Sequence, residues 1–273
     1  MKEILKSRVL IDHLIKKADS AGFRTRVLGE VEGEGERIPI LSLSKKIKGK
    51  APRILISAGI HGDEPAGPHA ILSLLESFPA EWPEFGCCHV EIVPLINPTG
   101  FDLRQRNNQA GVDLNRAFGS PDPPAEIRWL MNDYRRRSID LFVDLHEDVD
   151  TPGFYLYELA PSESEAFGPL IISALKKAGH PVNESPVIEG MPARDGLILR
   201  TSRPFPRYFR KGAPQGLYMK KMGACRTLTF ETPPMRPLDE RVAMHLLSLR
   251  TVLSHWARKP SLFKEQPGGR SRS

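Results

Sequence analysis

The stretch RILISAGIHGDE, residues 53–64, decides the fold. From Ile54 to Ile60 apolar side chains fall on both faces of an extended chain, the pattern of a strand with a layer on each side. The run then breaks into His61-Gly-Asp-Glu64. In open α/β sheets ligands bind beyond the carboxyl ends of the strands, so these four residues stand where chemistry belongs.

Other buried runs end the same way. CCHVEIVPLI (87–96) leads into Asn97-Pro-Thr-Gly and then the polar loop 104–116. SIDLFVDL (138–145) leads into His146-Glu-Asp, and RTLTF (226–230) into Glu231-Thr-Pro. Between these runs the spacing predicts helices over 64–75, 125–137, 164–178 and 238–256, and an amphipathic helix over 1–21. Residues 24–45 read as two strands around the Gly-rich turn 32–36, and 154–158 as a further strand. Strands alternating with helices predict a largely parallel α/β sheet covered on both sides. No internal repeat is visible.

The chain has 273 residues, 40% hydrophobic and 26% charged, enough for a large core without disulfide staples. Its 22 Gly and 25 Pro predict many turns. No apolar run approaches the ~18 residues of a membrane span. The N-terminal residues mix charged with apolar side chains and do not read as a secretory signal. Cys87, Cys88 and Cys225 offer no even disulfide framework, which favours free, buried thiols and a cytoplasmic setting. The net charge is +6, from 39 Lys and Arg against 33 Asp and Glu. In residues 258–273, five basic side chains face Glu265 alone, a balance of +4 that leaves +2 for residues 1–257. The expected organisation is one catalytic domain over 1–257 and a basic, low-complexity tail over 258–273. A nucleic-acid partner would give binding that falls steeply with salt. No nucleic-acid motif is present and aromatic content is only 7%, so neither nucleic acid nor membrane is expected as a partner.

Two His and one Glu on different strand ends suit a catalytic zinc, which uses three N/O ligands and keeps a fourth position open. His61 and Glu64 can converge across a turn at Gly62, with His146 arriving from a neighbouring strand end. Glu231, off the metal, suits proton transfer from water to a leaving amine. Each signal alone is weak. An H-x-x-E spacing is common, a histidine at a strand end is usually structural, and Arg104, Arg106 and Arg116 can simply be solvated. Arg135-Arg-Arg137 fits a solvated helix end. His13, His69, His89, His180 and His255 have no comparable company.

Four features in order are more specific. They are His61-Gly-Asp-Glu64, R-x-N-x-x-G-V-D-L-N-R from Arg106 to Arg116, His146, and Glu231 in Thr-Phe-Glu-Thr-Pro. Together they resemble the zinc carboxypeptidase superfamily, the carboxypeptidase A-like metallopeptidases with their succinylglutamate desuccinylase/aspartoacylase branch. The resemblance runs over 53–256. It implies a mixed, mainly parallel eight-stranded sheet with helices on both faces, and one zinc per chain on His61, Glu64 and His146. It implies that Asp113 orients the first histidine, that Asn115 and Arg116 grip a substrate carboxylate, that Arg106 stabilises a developing oxyanion, and that Glu231 is general base and acid. The implied activity is cleavage of a C-terminal amide bond in a peptide; deacylation of an N-acyl amino acid is the alternative. The substrate would be a small peptide or acylated amino acid with a free carboxylate.

Three features fall outside the family pattern. Tyr208 and Tyr218 both qualify as the tyrosine that family carboxypeptidases place over the substrate. The acidic run Glu147, Asp148 and Asp150 reads as solvated, with selection of a cationic substrate group as the other reading. Arg203, Pro204, Pro206, Arg207, Arg210, Lys211 and Pro214 form a basic, Pro-rich loop, read as a surface loop or as a rim that prefers acidic groups.

Overall fold

The computed structural model describes residues 4–33, 35–201 and 211–257. Its strands, in chain order, are β1 (Arg24–Gly33), β2 (Glu36–Lys45), β3 (Arg53–Ala58), β4 (His89–Val93), β5 (Leu141–Glu147), β6 (Tyr155–Ala160), β7 (Val187–Ile188), β8 (Met191–Pro192), β9 (Leu197–Thr201) and β10 (Arg226–Thr232). The helices are α1 (Ser7–Ser20), α2 (Ala66–Glu76), α3 (Pro98–Leu103), α4 (Ala125–Tyr134), α5 (Gly168–Lys177), α6 (Gln215–Lys221) and α7 (Leu238–Ala257).

One eight-stranded sheet organises these elements, in the order β1-β2-β4-β3-β5-β10-β6-β9; β7 and β8 form a separate hairpin. The central strands β4, β3, β5 and β10 are mutually parallel. The β1–β2, β2–β4 and β6–β10 pairs are antiparallel and β6–β9 is parallel, so the sheet is mixed with a parallel centre. Every residue of β5 is buried, as expected of a strand covered on both faces. The helices α1, α2, α5 and α7 form one layer, and α4 and α6 lie on the other face.

Local sequence explains most of these elements. In α1 the buried Leu10, Ile11, Leu14 and Ala18 form a stripe at helical spacing. In α2 all residues but Ser73 and Glu76 are buried, because the helix is packed between β5 and α7. Asn97 caps α3 by accepting from the Gly100 amide at 2.9 Å, with Pro98 in the first turn. Asp239 and Glu240 lie in the first turn of α7, where they suit the helix dipole.

Parallel pairing sets the site. Ala58 is level with Leu145, Leu145 with Phe230, and His146 with Glu231. The residues just beyond β3 and the ends of β5 and β10 therefore meet along one edge. Gly62 makes the turn after β3 possible: a Cβ there would lie 1.9 Å from the carbonyl carbon of Gly100. Gly29 has a similar reason at the β1 bulge, where the Trp129 ring fills the place of a Cβ at 2.2 Å.

Some sequence expectations need correction. The eighth strand, β9, is a five-residue edge strand following a glycine at φ +80°, too short to stand out by periodicity. The short helices α3 and α6 carry no long-period signal either. Arg137 is not part of a solvated helix end, for it turns inward to the buried Glu91 and also reaches Asp133 at 3.1 Å. Arg135 and Arg136 are exposed, as expected. The cysteines are free, but only Cys88 is buried; Cys225 is half-buried and Cys87 exposed. No helix among the described residues is long and apolar enough to cross a membrane.

Candidate metal centre

His61, Glu64 and His146 come together. One ligand atom from each lies within 4.8 Å of the others, and all three side chains are buried. Glu64 stands between the imidazoles, with Oε1 2.5 Å from His61 Nδ1 and Oε2 2.9 Å from His146 Nδ1. The rings themselves are 4.9 Å apart. Burial raises the Glu64 carboxyl, but His146 and His61 outweigh it and hold the group well below the usual carboxylate range. Burial lowers His146, and Asp144 and Glu64 overcome that to raise it well above the ordinary imidazole value.

The donor set fits a divalent metal. Two imidazole nitrogens and one carboxylate oxygen converge, which is the ligand chemistry of catalytic zinc. Behind each imidazole lies a carboxylate. Asp113 Oδ1 is 3.4 Å from His61 Nε2, at ion-pair distance though not in hydrogen-bond alignment. Asp144 Oδ2 is 3.1 Å from His146 Nε2. Carboxylates in this place fix the tautomer that presents a lone pair to a metal.

Asp113 ties the site to the loop of residues 104–116. Its Oδ2 accepts from Arg106 Nε at 3.1 Å and its Oδ1 from the Asn115 amide at 2.9 Å. Burial opposes the charge on Asp113, but His61, Arg106 and Arg116 hold its carboxyl below the usual range. Arg106 Nη1 reaches 3.3 Å from His61 Nδ1 and 3.8 Å from Glu64 Oε1, so its guanidinium overhangs the cluster. The loop is anchored from below by the buried Asn97, whose Nδ2 donates to the carbonyls of Ile60 and Arg106, both at 3.3 Å.

Asn115 is buried and Arg116 exposed. The Asn115 Oδ1 accepts from the Gln215 amide at 2.8 Å, which leaves its NH2 group as the free end. Gln215 is itself fixed by its Nε2 donating to Tyr134 Oη at 2.9 Å.

Glu231 is buried on β10, next to His146 in register. Burial, with Glu64, Asp148 and Asp144 nearby, pushes its carboxyl well above the usual range, against the pull of His146. Tyr155, its cross-strand neighbour on β6, donates to Asp148 Oδ2 at 3.0 Å.

The acidic run after His146 divides. Glu147 is not solvated: it is buried, accepts from the Ala66 amide at 2.7 Å, and pairs with Arg241 of α7. It thereby caps α2, which has no side-chain cap of its own. Asp148 is half-buried and Asp150 exposed. Tyr218 is buried in α6 with its ring 5.4 Å from Phe118, part of the core there. Tyr208 lies outside the described residues, as do Arg203, Pro204, Pro206, Arg207 and Arg210 of the basic loop. Lys211 is exposed, and Pro214 precedes α6.

Asp144, Glu147, Gln215 and His245 carry no local sequence signal for what they do here. His245 is fully buried in α7, and its Nε2 lies 3.4 Å from Thr232 Oγ1. Burial, with His146 and Arg241 nearby, lowers it to about 3. A histidine kept neutral in the fold but able to charge at 6.5 once unfolded costs stability as pH falls between those values. Its contribution to the slope is on the order of 1.4 kcal/mol per pH unit. Denaturant melts of the wild type and His245→Gln from pH 7 to pH 4 should show a shallower acid loss in the variant.

With this geometry in place, known proteins give the class. Residues 50–183 match the succinylglutamate desuccinylase/aspartoacylase catalytic domain family. A structure assigned as a metallopeptidase from Shewanella amazonensis superposes with a TM-score of 0.77 at 26% identity, covering 91% of this chain and 92% of that one. Carboxypeptidase SOL1 of Arabidopsis thaliana is 36% identical over 74 residues, which are 24% of this chain and 15% of that protein. Murein peptide amidase A of Vibrio campbellii is 38% identical over 80 residues, 29% of this chain and 30% of that protein. The chain belongs to the zinc carboxypeptidase superfamily of hydrolases. The two curated relatives are matched over less than a third of their own lengths.

Proposed function

We propose that this chain is a zinc metallocarboxypeptidase, hydrolysing the amide bond beside a free C-terminal carboxylate. The observation that carries this reading is the set of donors around the His61–Glu64–His146 cluster. Arg106 overhangs it, and Asp113 links His61 to the turn bearing Asn115 and Arg116. A hydrolase acting on internal bonds has no need of a carboxylate grip at this spot.

His61, Glu64 and His146 would hold one zinc, which when bound lowers the pKa of water toward ~7 and polarises a carbonyl. Asn115 and Arg116 hold the substrate carboxylate, which brings the scissile carbonyl to the cluster and removes much of the orientational barrier. Arg106 donates to the carbonyl oxygen as it gains charge. Glu231 takes a proton from the attacking water and delivers it to the departing amine. We further propose that the catalytic unit runs through residue 257, with the basic residues 258–273 outside it, in a cytoplasmic protein without nucleic-acid or membrane partners.

The match of residues 50–183 to the desuccinylase/aspartoacylase family favours a second reading, deacylation of N-acyl amino acids. A zinc-loaded enzyme tested on peptides and on N-acyl amino acids separates the two. Release of C-terminal residues supports the first, and deacylation without such release replaces it with the second.

Arg116→Ala tests the grip. Charge-assisted hydrogen bonds contribute about 1.5–3 kcal/mol, so kcat/KM on a free-acid peptide should fall roughly 10–150-fold. The matching C-terminal amide should lose far less. Equal losses on both would remove Arg116 from this role.

A further inference from the structure

Half of the eight buried carboxylates among the described residues are paired with an arginine away from the cluster. Among the described residues Glu91 pairs with Arg137 and Arg26, Asp133 with Arg26 and Arg137, Glu147 with Arg241, and Glu158 with Arg226. Glu126 instead accepts from the Asn108 amide group at 2.9 Å. The three that remain, Glu64, Asp144 and Glu231, gather around His146, and of these only Glu64 has an arginine within ion-pair reach, Arg106 at 3.8 Å. Glu64 and Glu231 already have roles in the reading above, and Asp144 has none.

Asp144 is 1% exposed on β5, two residues before His146 and so on the same face of the sheet. Its Oδ2 meets His146 Nε2 at 3.1 Å, and its Oδ1 accepts from Ser57 Oγ at 2.6 Å. Ser57 is fully buried on β3, directly opposite Asp144 in register. A desolvated carboxylate with only a hydroxyl and an imidazole for company is costly unless its partner carries positive charge. A cation on the far nitrogen of that imidazole provides it.

We propose that Asp144 is a positioning residue for His146, braced by Ser57, so that each metal-binding imidazole has its own orienting carboxylate. The inference rests on the zinc reading above. Asp144 accepts the Nε2 proton and thereby keeps the lone pair of His146 on Nδ1, the atom facing Glu64. Asp113 lies on the corresponding side of His61, 3.4 Å from its Nε2 but out of hydrogen-bond alignment, and it is reached through the loop of residues 104–116. Asp144 is instead built into the strand that carries its histidine. The Ser57 hydrogen bond makes the carboxylate's orientation a property of β3–β5 pairing.

The test is zinc affinity, measured on the full chain by competition with a chromophoric chelator. Outer carboxylates of this kind are worth about 10–100-fold in metal affinity, so Asp144→Asn should bind zinc that much more weakly. Ser57→Ala, which frees the carboxylate without removing it, should weaken binding by a few-fold. Glu158→Gln is the control: it strips a buried carboxylate of the same sheet from its arginine, and should lower stability while leaving zinc affinity unchanged. The rise in Tm on adding zinc gives a second readout, smaller in the Asp144 and Ser57 variants than in the wild type. A folded Asp144→Asn with wild-type zinc affinity overturns the proposal. If that variant does not fold, Ser57→Ala decides, and unchanged affinity there overturns it equally. A wild type that takes up no zinc fails the zinc reading itself, and the inference with it.

Discussion

Glu231→Gln should keep its metal and lose hydrolysis by about 10²–10⁴-fold, the usual worth of a positioned general acid–base. The substitution preserves shape and removes only the capacity to exchange a proton. Glu231 is suited to that exchange by its surroundings. It is buried, level with His146, and has no arginine or lysine partner among the described residues. Burial and the negative Glu64, Asp148 and Asp144 raise its pKa, while the positive His146 opposes them. The residue must be ionised to accept a proton from water, so kcat/KM should rise with pH as Glu231 deprotonates. That acid limb should vanish from the residual activity of Glu231→Gln. Equal zinc affinity in both proteins shows that the loss lies in proton transfer. Full hydrolysis by a zinc-loaded Glu231→Gln would sink the assignment.

Metal removal should have the largest effect of all. A chelator should take peptide hydrolysis to background, and added zinc should restore it. Without a cation, Arg106 and the two imidazoles crowd Glu64 in a pocket that has nothing to polarise a carbonyl. Zinc should also stabilise the fold, by about 2.7 kcal/mol at a free concentration 100 times its Kd. His146→Ala should lose both the activity and the zinc-dependent rise in Tm. Activity that survives chelation rejects the zinc reading, and binding to anions with a steep salt dependence would then become the better account of the basic tail.

Much of this site could be read before folding was considered. His61, Glu64, His146 and Glu231 each follow a buried apolar run, and such runs are local features of the chain. Parallel pairing then guarantees that their ends meet. The loop of residues 104–116 was legible as well, because its motif is contiguous. The acidic run was not. Glu147, Asp148 and Asp150 are neighbours in sequence, but the first points to α2 and α7, the second is half-buried, and the third faces water. Their spacing holds no information about which side of a strand end each will meet.

The strand-and-helix alternation, the edge at which polar groups collect, and the residue types offered to a metal are all written along the chain. Those follow from hydrophobic period and residue chemistry, which are short-range. Which partners tune them depends on how the folded chain packs. Asp144 owes its surroundings to Ser57, 87 residues away, Asn115 to Gln215, 100 residues away, and Glu147 to Arg241, 94 residues away. Such pairings are set by sheet order and helix docking, which bring distant parts of the chain together and leave no periodic trace along it.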